Sequence, residues 1–197
     1  MEIEVWKIKN HTVEYYDDEH LYLVDGEILP SITTLLKKKF GKKYDFVNKD
    51  VLKKASERGT ATHLAIEEYC TQGKESDLKE LQNFKFLQKQ YGFEVLENEV
   101  PVILFMEDKP IAAGRLDLVL QINNEIGGGD IKCVSALDKE YLGYQLNLYR
   151  IAYRQCYDVE WKFLKGVHLK DDKRRFVDIP INEPLVWDFV KECLKNK

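Results

Sequence analysis

Long apolar runs are missing from this sequence. No stretch approaches the roughly 20 residues needed to cross a bilayer. The opening residues, Met1-Glu2-Ile3-Glu4-Val5-Trp6-Lys7, lack the basic-then-apolar layout of a secretory signal. A cytoplasmic location away from membranes is therefore expected. Cysteine is scarce and scattered, at Cys70, Cys133, Cys156 and Cys193. Without a Cys-X-X-Cys pair no zinc site is expected, and the thiols are expected to be reduced and mostly buried. An excess of positive charge is also missing. The formal net charge of −4 argues against a protein that coats nucleic acid nonspecifically. It leaves room for an enzyme whose acidic ligands lower the total while basic patches stay local. Repeats, low-complexity tracts and long linkers are absent.

What remains fits one domain spanning residues 1–197, soluble and large enough to bury a core: 44% of the residues are hydrophobic and 32% charged. Residues 12–24 alternate apolar and polar around the turn signals Asp17-Asp18 and Asp25-Gly26, predicting a β-hairpin beside the main sheet. Ser31 suits an N-cap for a helix that Gly41 ends. A second helix runs from Asp50 to Tyr69, with a break expected near Gly59. Asp77 is expected to cap a third, Leu78 to Tyr91, stopped by Gly92, with Leu78, Leu81, Phe84 and Leu87 on one stripe. A strand follows from Phe93 to Leu104, with Glu97 and Glu99 on one side. Further on come a helix over Leu137–Cys156, two strands joined at Asp171-Asp172-Lys173, and a last helix capped by Asn182. The order predicts an α/β domain: a central mixed β-sheet flanked by helices, with an N-terminal β-hairpin.

The chemistry gathers between Gly114 and Tyr149. Leu116, Leu118 and Leu120 alternate with Arg115, Asp117 and Val119, the period of a strand. Asn123-Asn124 is a two-residue turn signal, since Asn tolerates positive φ. With that pair as the loop, positions summing to 247 face each other, so Asp117 opposes Asp130 and Arg115 opposes Lys132. Two carboxylates and a lysine then share one face while the leucines take the other. Like charges directly opposite destabilise a sheet, and a divalent cation between them reverses that sign. The Gly127-Gly128-Gly129 run could shift this register by holding a bulge. On the second helix His63 and Glu67 lie four apart and share a face. Basic runs occur at Lys37–Lys39, at Lys42-Lys43, at Lys53-Lys54 with Arg58, and from Lys170 to Arg175.

Gly-Arg-Leu-Asp at 114–117, Gly-Asp-Ile-Lys at 129–132 and Gln-Leu-Asn-Leu-Tyr at 145–149 resemble the PD-(D/E)XK nuclease superfamily, in its RecB-like and phage-exonuclease branch. Arg-Gly-Thr-X-X-His-X-X-X-Glu at 58–67 is similar to the same group. The match runs over roughly residues 55 to 155, and Asp130 stands where many members carry Glu. The resemblance implies a deoxyribonuclease dependent on Mg2+ or Mn2+, an exonuclease in phage or mobile-element recombination. A structure-selective endonuclease and a catalytically silent DNA-binding subunit are the alternatives. It implies Asp117, Asp130, Lys132, Gln145 and Tyr149 as catalytic residues. His63, Asp117, Asp130 and the Ile131 carbonyl would be metal ligands, with Glu67 as an outer-shell carboxylate and Glu99 as an outer-shell or second-metal one. Arg58, Arg115, Lys53 and Lys54 would contact DNA. The cysteine spacing departs from the iron–sulfur members, so no cluster is expected. DNA is the implied partner, with a single-strand annealing or recombination protein as a candidate companion.

Overall fold

The computed structural model describes residues 3–41 and 48–195, and Lys42-Lys43 lie outside them. Four short antiparallel strands come first: β1 (Ile3–Ile8), β2 (His11–Tyr16), β3 (Leu21–Val24) and β4 (Glu27–Leu29). The expected hairpin is the β2–β3 pair. It grows into a four-stranded sheet because β1 and β4 pair on either side. Asp25-Gly26 turns with both residues at positive φ.

Ser31 caps α1 (Ile32–Phe40), its Oγ accepting from the Thr34 amide, and Gly41 closes the helix in a right-handed conformation. Helix α2 (Lys49–Gln72) is continuous, so no break occurs at Gly59. A single glycine costs a helix only about 1 kcal/mol, which the neighbouring turns absorb. Helix α3 covers Lys79–Tyr91. Asp77 does not cap it: Leu78 holds the cap position without a side-chain bond, and Ser76 Oγ accepts the Leu78 amide instead. Gly92 ends α3 with a left-handed φ of 62°, where an L side chain would be strained.

The second sheet has the order β5 (Glu94–Met106), β6 (Lys109–Ile122), β7 (Glu125–Lys132), β8 (Phe163–Lys170), β9 (Lys173–Ile179). Only β7 and β8 run parallel, joined across α4 (Lys139–Tyr157). A parallel pair needs such a crossover. Helix α5 (Glu183–Lys195) ends the chain, with Asn182 accepting from the Leu185 amide. This is the expected α/β architecture.

Two apolar layers cover this sheet. Ile66 of α2 and Leu81, Phe84 and Leu87 of α3 pack with Leu118, Leu120, Ile131, Val167 and Phe176. On the other side α1, α4 and α5 pack with the inner face of the first sheet, through Val13, Tyr15, Leu36, Leu148 and Phe189 among others. The three leucines of β6 are all buried, but Leu116 joins this second layer rather than that of Leu118 and Leu120. The strand is fourteen residues long and runs past the α2–α3 layer toward the first sheet.

Asn123 and Asn124, at φ 49° and 64°, form the two-residue β6–β7 turn. The register from Ile122↔Glu125 to Leu118↔Gly129 is the expected one. The three glycines contain no bulge. They lie inside β7 because rings cross over them: a Cβ on Gly127 would overlap Phe163, and one on Gly128 would overlap Trp161.

Candidate functional site

Strand alternation decides which way the β7 side chains go. Ile131 enters the α2–α3 layer, so Asp130 and Lys132 project toward α4. Lys132 and Gln145 line the same cavity. The register carries Asp117 toward Asp130, and the contact recorded between these segments is the Ile131 amide donating to Asp117 Oδ2 at 2.7 Å. Ile131 thus touches the site through its N–H, next to the carbonyl expected as a ligand.

Two further elements bring side chains to Asp117. His63 comes from α2, with Nδ1 3.7 Å from Asp117 Oδ1 and 3.3 Å from Glu99 Oε1. Glu99 comes from β5, where its φ of 48° turns the backbone out of the extended form. Glu97, two residues earlier, bonds the Tyr153 hydroxyl at 2.6 Å. The two glutamates go to different partners, although the register from Glu97↔Val119 to Val100↔Leu116 runs without a shift and keeps them on the expected common side. His63, Glu99 and Asp117 can each offer one ligand atom, all within 4.8 Å of one another. Glu99 stands inside this group. Asp130 lies next to it, only 1% exposed and ion-paired with Lys132. Neither of its oxygens receives a well-directed hydrogen bond, and Gln145 Oε1 is likewise buried without a partner.

The electrostatics follow from that crowding. Burial raises the pKa of Asp117 and of Asp130, and the nearby cations only partly offset it. Burial works against the charge on His63, but Asp117, Glu99 and Asp130 outweigh it and push its pKa up to about 9. Lys132 behaves alike: burial opposes its charge, while Asp130 and Asp117 raise its pKa. The cluster draws positive charge to itself, and its donors suit a cation. Carboxylate oxygens and one imidazole are ligands that magnesium or manganese accepts, and the buried Asp130 Oδ1, left without a donor, is what a metal would satisfy. The residues present fit a divalent ion.

Other expected residues fall differently. Tyr149 is buried, and its ring lies against Gly114, where a Cβ would sit 3.1 Å from a ring carbon. Glu67 is half-buried beside the group, its pKa raised by burial and then by Glu99, but it is not among the clustered ligands. Arg115 is held by Glu99 at 2.9 Å and by Glu4 at 2.8 Å, over the Tyr15 ring. It joins the site to the first sheet. Arg58 binds the buried Glu80, with Nε at 2.7 Å, and Asp171 at 2.9 Å, which is a structural arrangement. Lys53 and Lys54 are exposed on α2, and Lys53 lies 3.9 Å from Glu57. Of the other runs, Lys38 bonds the Cys193 carbonyl, Lys39 lies over Phe40 and Tyr144, and Arg174 lies over Phe86. All four cysteines are free, three of them buried. The contribution of Glu4 carried no signal in the sequence, since it depends on sheet-to-sheet docking.

A cavity of about 820 Å³ opens beside Lys132 and Gln145, floored by Cys133, Val134 and Tyr141 and edged by Lys37 and Lys170. No helix among the described residues is long and apolar enough to cross a membrane. No family model matches the chain, and no curated protein matches it. A solved structure titled "Crystal structure of SSO0001" is similar over 83% of this chain and 84% of its own, with 18% identity and a TM-score of 0.41. That likeness is too distant to bear on activity.

Proposed function

We propose that this chain is a metal-dependent deoxyribonuclease of the PD-(D/E)XK type, acting as an exonuclease in recombination of phage or mobile-element DNA. One observation carries the reading: His63, Glu99 and Asp117 converge from three separate elements within 4.8 Å of one another, directly beside the buried Asp130–Lys132 pair. Burying several carboxylates side by side is costly unless a cation neutralises them. A fold has little reason to bear that cost away from a functional centre.

In this reading His63, Glu99 and Asp117 would hold a Mg2+ or Mn2+ ion, with Asp130 beside them. Such an ion supplies a more acidic bound water and draws charge from the phosphate. Asp117 is kept in place by the Ile131 amide. Lys132 stays cationic because Asp130 and Asp117 outweigh its burial, which suits it to stabilise negative charge growing on phosphate oxygens. Gln145 presents an unpartnered acceptor into the same space and can orient a water or the lysine. Tyr149 acts by shape, its ring packed against Gly114 of β6. The apolar cavity beside Lys132 offers room for a nucleotide. Arg58 and Arg115 are assigned to structure, and Lys53 and Lys54 remain the DNA contacts from α2. A single-strand annealing protein is the companion that this role would call for.

End-labelled linear and closed circular DNA, incubated with magnesium, manganese or chelator, tests the proposal. Degradation of linear DNA alone, abolished by chelator, is the expected result. Cutting of circles would make it an endonuclease. Binding without any cleavage would make it a silent DNA-binding subunit. Lys132→Ala is expected to slow cleavage by about 10²–10³-fold. Asp117→Ala should do at least as much, and the double variant little worse than either single one, because the groups act as a unit. Wild-type rates in purified Lys132→Ala would sink the assignment.

A further inference from the structure

On the far side of the loop that follows Lys132 lies a second, smaller cavity of about 420 Å³. Its position follows from strand alternation. Lys173, Arg175 and Val177 are two apart along β9 and share one face. His168 of β8 is paired directly with Arg175 and so projects from the same face. Ser135 and Lys139, from the loop and the first turn of α4, close the other wall. Three cations, a histidine and a serine line this cavity, and none of its lining residues is acidic.

His168 is only 2% exposed. Its Nε2 bonds the Val134 carbonyl at 2.6 Å, while its Nδ1 is buried without a partner. The Lys173 ammonium is anchored on the Ser135 carbonyl. Lys139 and Arg175 are exposed and, among the described residues, meet no carboxylate. Unbalanced positive charge of this kind, lining a cavity with no carboxylate, is unusual unless an anion completes it.

We propose that this cavity binds a phosphate group, and that the phosphate belongs to a nucleic-acid strand whose path continues from the Lys132 side of the loop. Lys139 and Arg175 supply the charge, Arg175 with a fork suited to two phosphate oxygens. Lys173 fixes the loop, and His168 forms the base. The segment 135–137 lines both cavities, so one strand can touch the two in succession. Assignment of the phosphate to a strand rests on the nuclease reading above, whereas binding of the phosphate group itself does not.

The test uses the whole chain in chelator, so that no cleavage occurs. Inorganic phosphate and a short single-stranded deoxyoligonucleotide are titrated separately while the His168 imidazole resonances are followed by NMR. Oligonucleotide affinity is measured across a range of salt. Both probes are expected to move the His168 signals. In Lys139→Gln/Arg175→Gln both shifts should vanish, and the slope of log affinity against log salt should fall by about 0.7, the value for one phosphate contact on a single strand. Failure of both probes to move His168 overturns the site. Phosphate binding, with oligonucleotide affinity and salt slope unchanged in the variant, overturns the strand assignment. A wild type that passes this test yet never cleaves DNA with magnesium or manganese would lose the nuclease reading and keep the phosphate site.

Discussion

His63 carries a charge that its burial opposes, and that has a consequence for stability. Its folded pKa is pushed up to about 9, against about 6.5 in an unfolded chain. The native state therefore holds a proton that the unfolded state has released. For a raised histidine the stabilisation is complete below about pH 6.5 and disappears as pH rises toward about 9. The raised pKa values of Asp117 and Asp130 act in the same direction, since they also favour protons in the native state. In chelator the melting temperature should decline across that window, and His63→Gln should flatten the decline. Saturating manganese should flatten it too, because a bound ion takes over the role of the proton. Asp117→Asn removes one of the crowded charges, so in chelator it should melt at or above the wild-type temperature. With metal the wild type should gain RT ln(1 + [M]/Kd), about 2.7 kcal/mol at a hundredfold excess over Kd, and the variant should lose most of that gain. Equal destabilisation of Asp117→Asn in both conditions would reduce Asp117 to an acceptor for the Ile131 amide.

Strand β7 places the Asp130–Lys132 pair, and its three glycines are the reason it can lie where it does. Trp161 is 1% exposed and crosses the strand at Gly128, where a Cβ would overlap the ring. At Gly129 a Cβ would come 2.8 Å from the end of the Leu120 side chain, a contact that a flexible leucine can relieve. Gly128→Ala is therefore expected to be the more damaging change, costing about 1–3 kcal/mol as overpacking does, while Gly129→Ala should cost less. Urea unfolding of the two variants decides the order. Equal costs would mean that Trp161 can move aside. The loss should also reach the site, because a displaced β7 shifts Asp130 and Lys132 relative to Asp117.

Long-range ion pairs hold the separate parts around that strand. Arg58 of α2 reaches Glu80 of α3 and Asp171 in the β8–β9 turn. Glu80 is buried, with 2% of its side chain exposed, so loss of its partner leaves a carboxylate short of donors. Arg58→Ala should lower stability by about 1–3 kcal/mol, with the cost limited because Arg58 itself is one-third exposed. Its oligonucleotide affinity in chelator should match the wild type. A variant as stable as the wild type but deficient in DNA binding would restore Arg58 to the nucleic-acid surface. Arg115 does a similar job between the sheets, through Glu4 and Glu99.

Local rules carried much of this molecule. The Asn123-Asn124 turn set a register that alternation alone extends, which is why the approach of Asp117 to Asp130 could be read from spacing. The Ser31 cap, the Gly92 stop and the stripe of α3 also depend on neighbours in the chain. The α/β order followed from periodicity. The remainder needed contacts between distant segments. Gly127 and Gly128 read as a bulge signal until the Phe163 and Trp161 rings explain them. Glu99 read as a carboxylate near the metal only through the family resemblance, because nothing nearby announces its positive φ or the approach of α2. Arg58 and Arg115 read as DNA contacts, and their ion pairs went unseen because Glu80 and Glu4 lie far from them in sequence and meet them only after packing. Periodicity and turn chemistry act over a few residues, whereas the partner of a charge is chosen by which surfaces the core brings together.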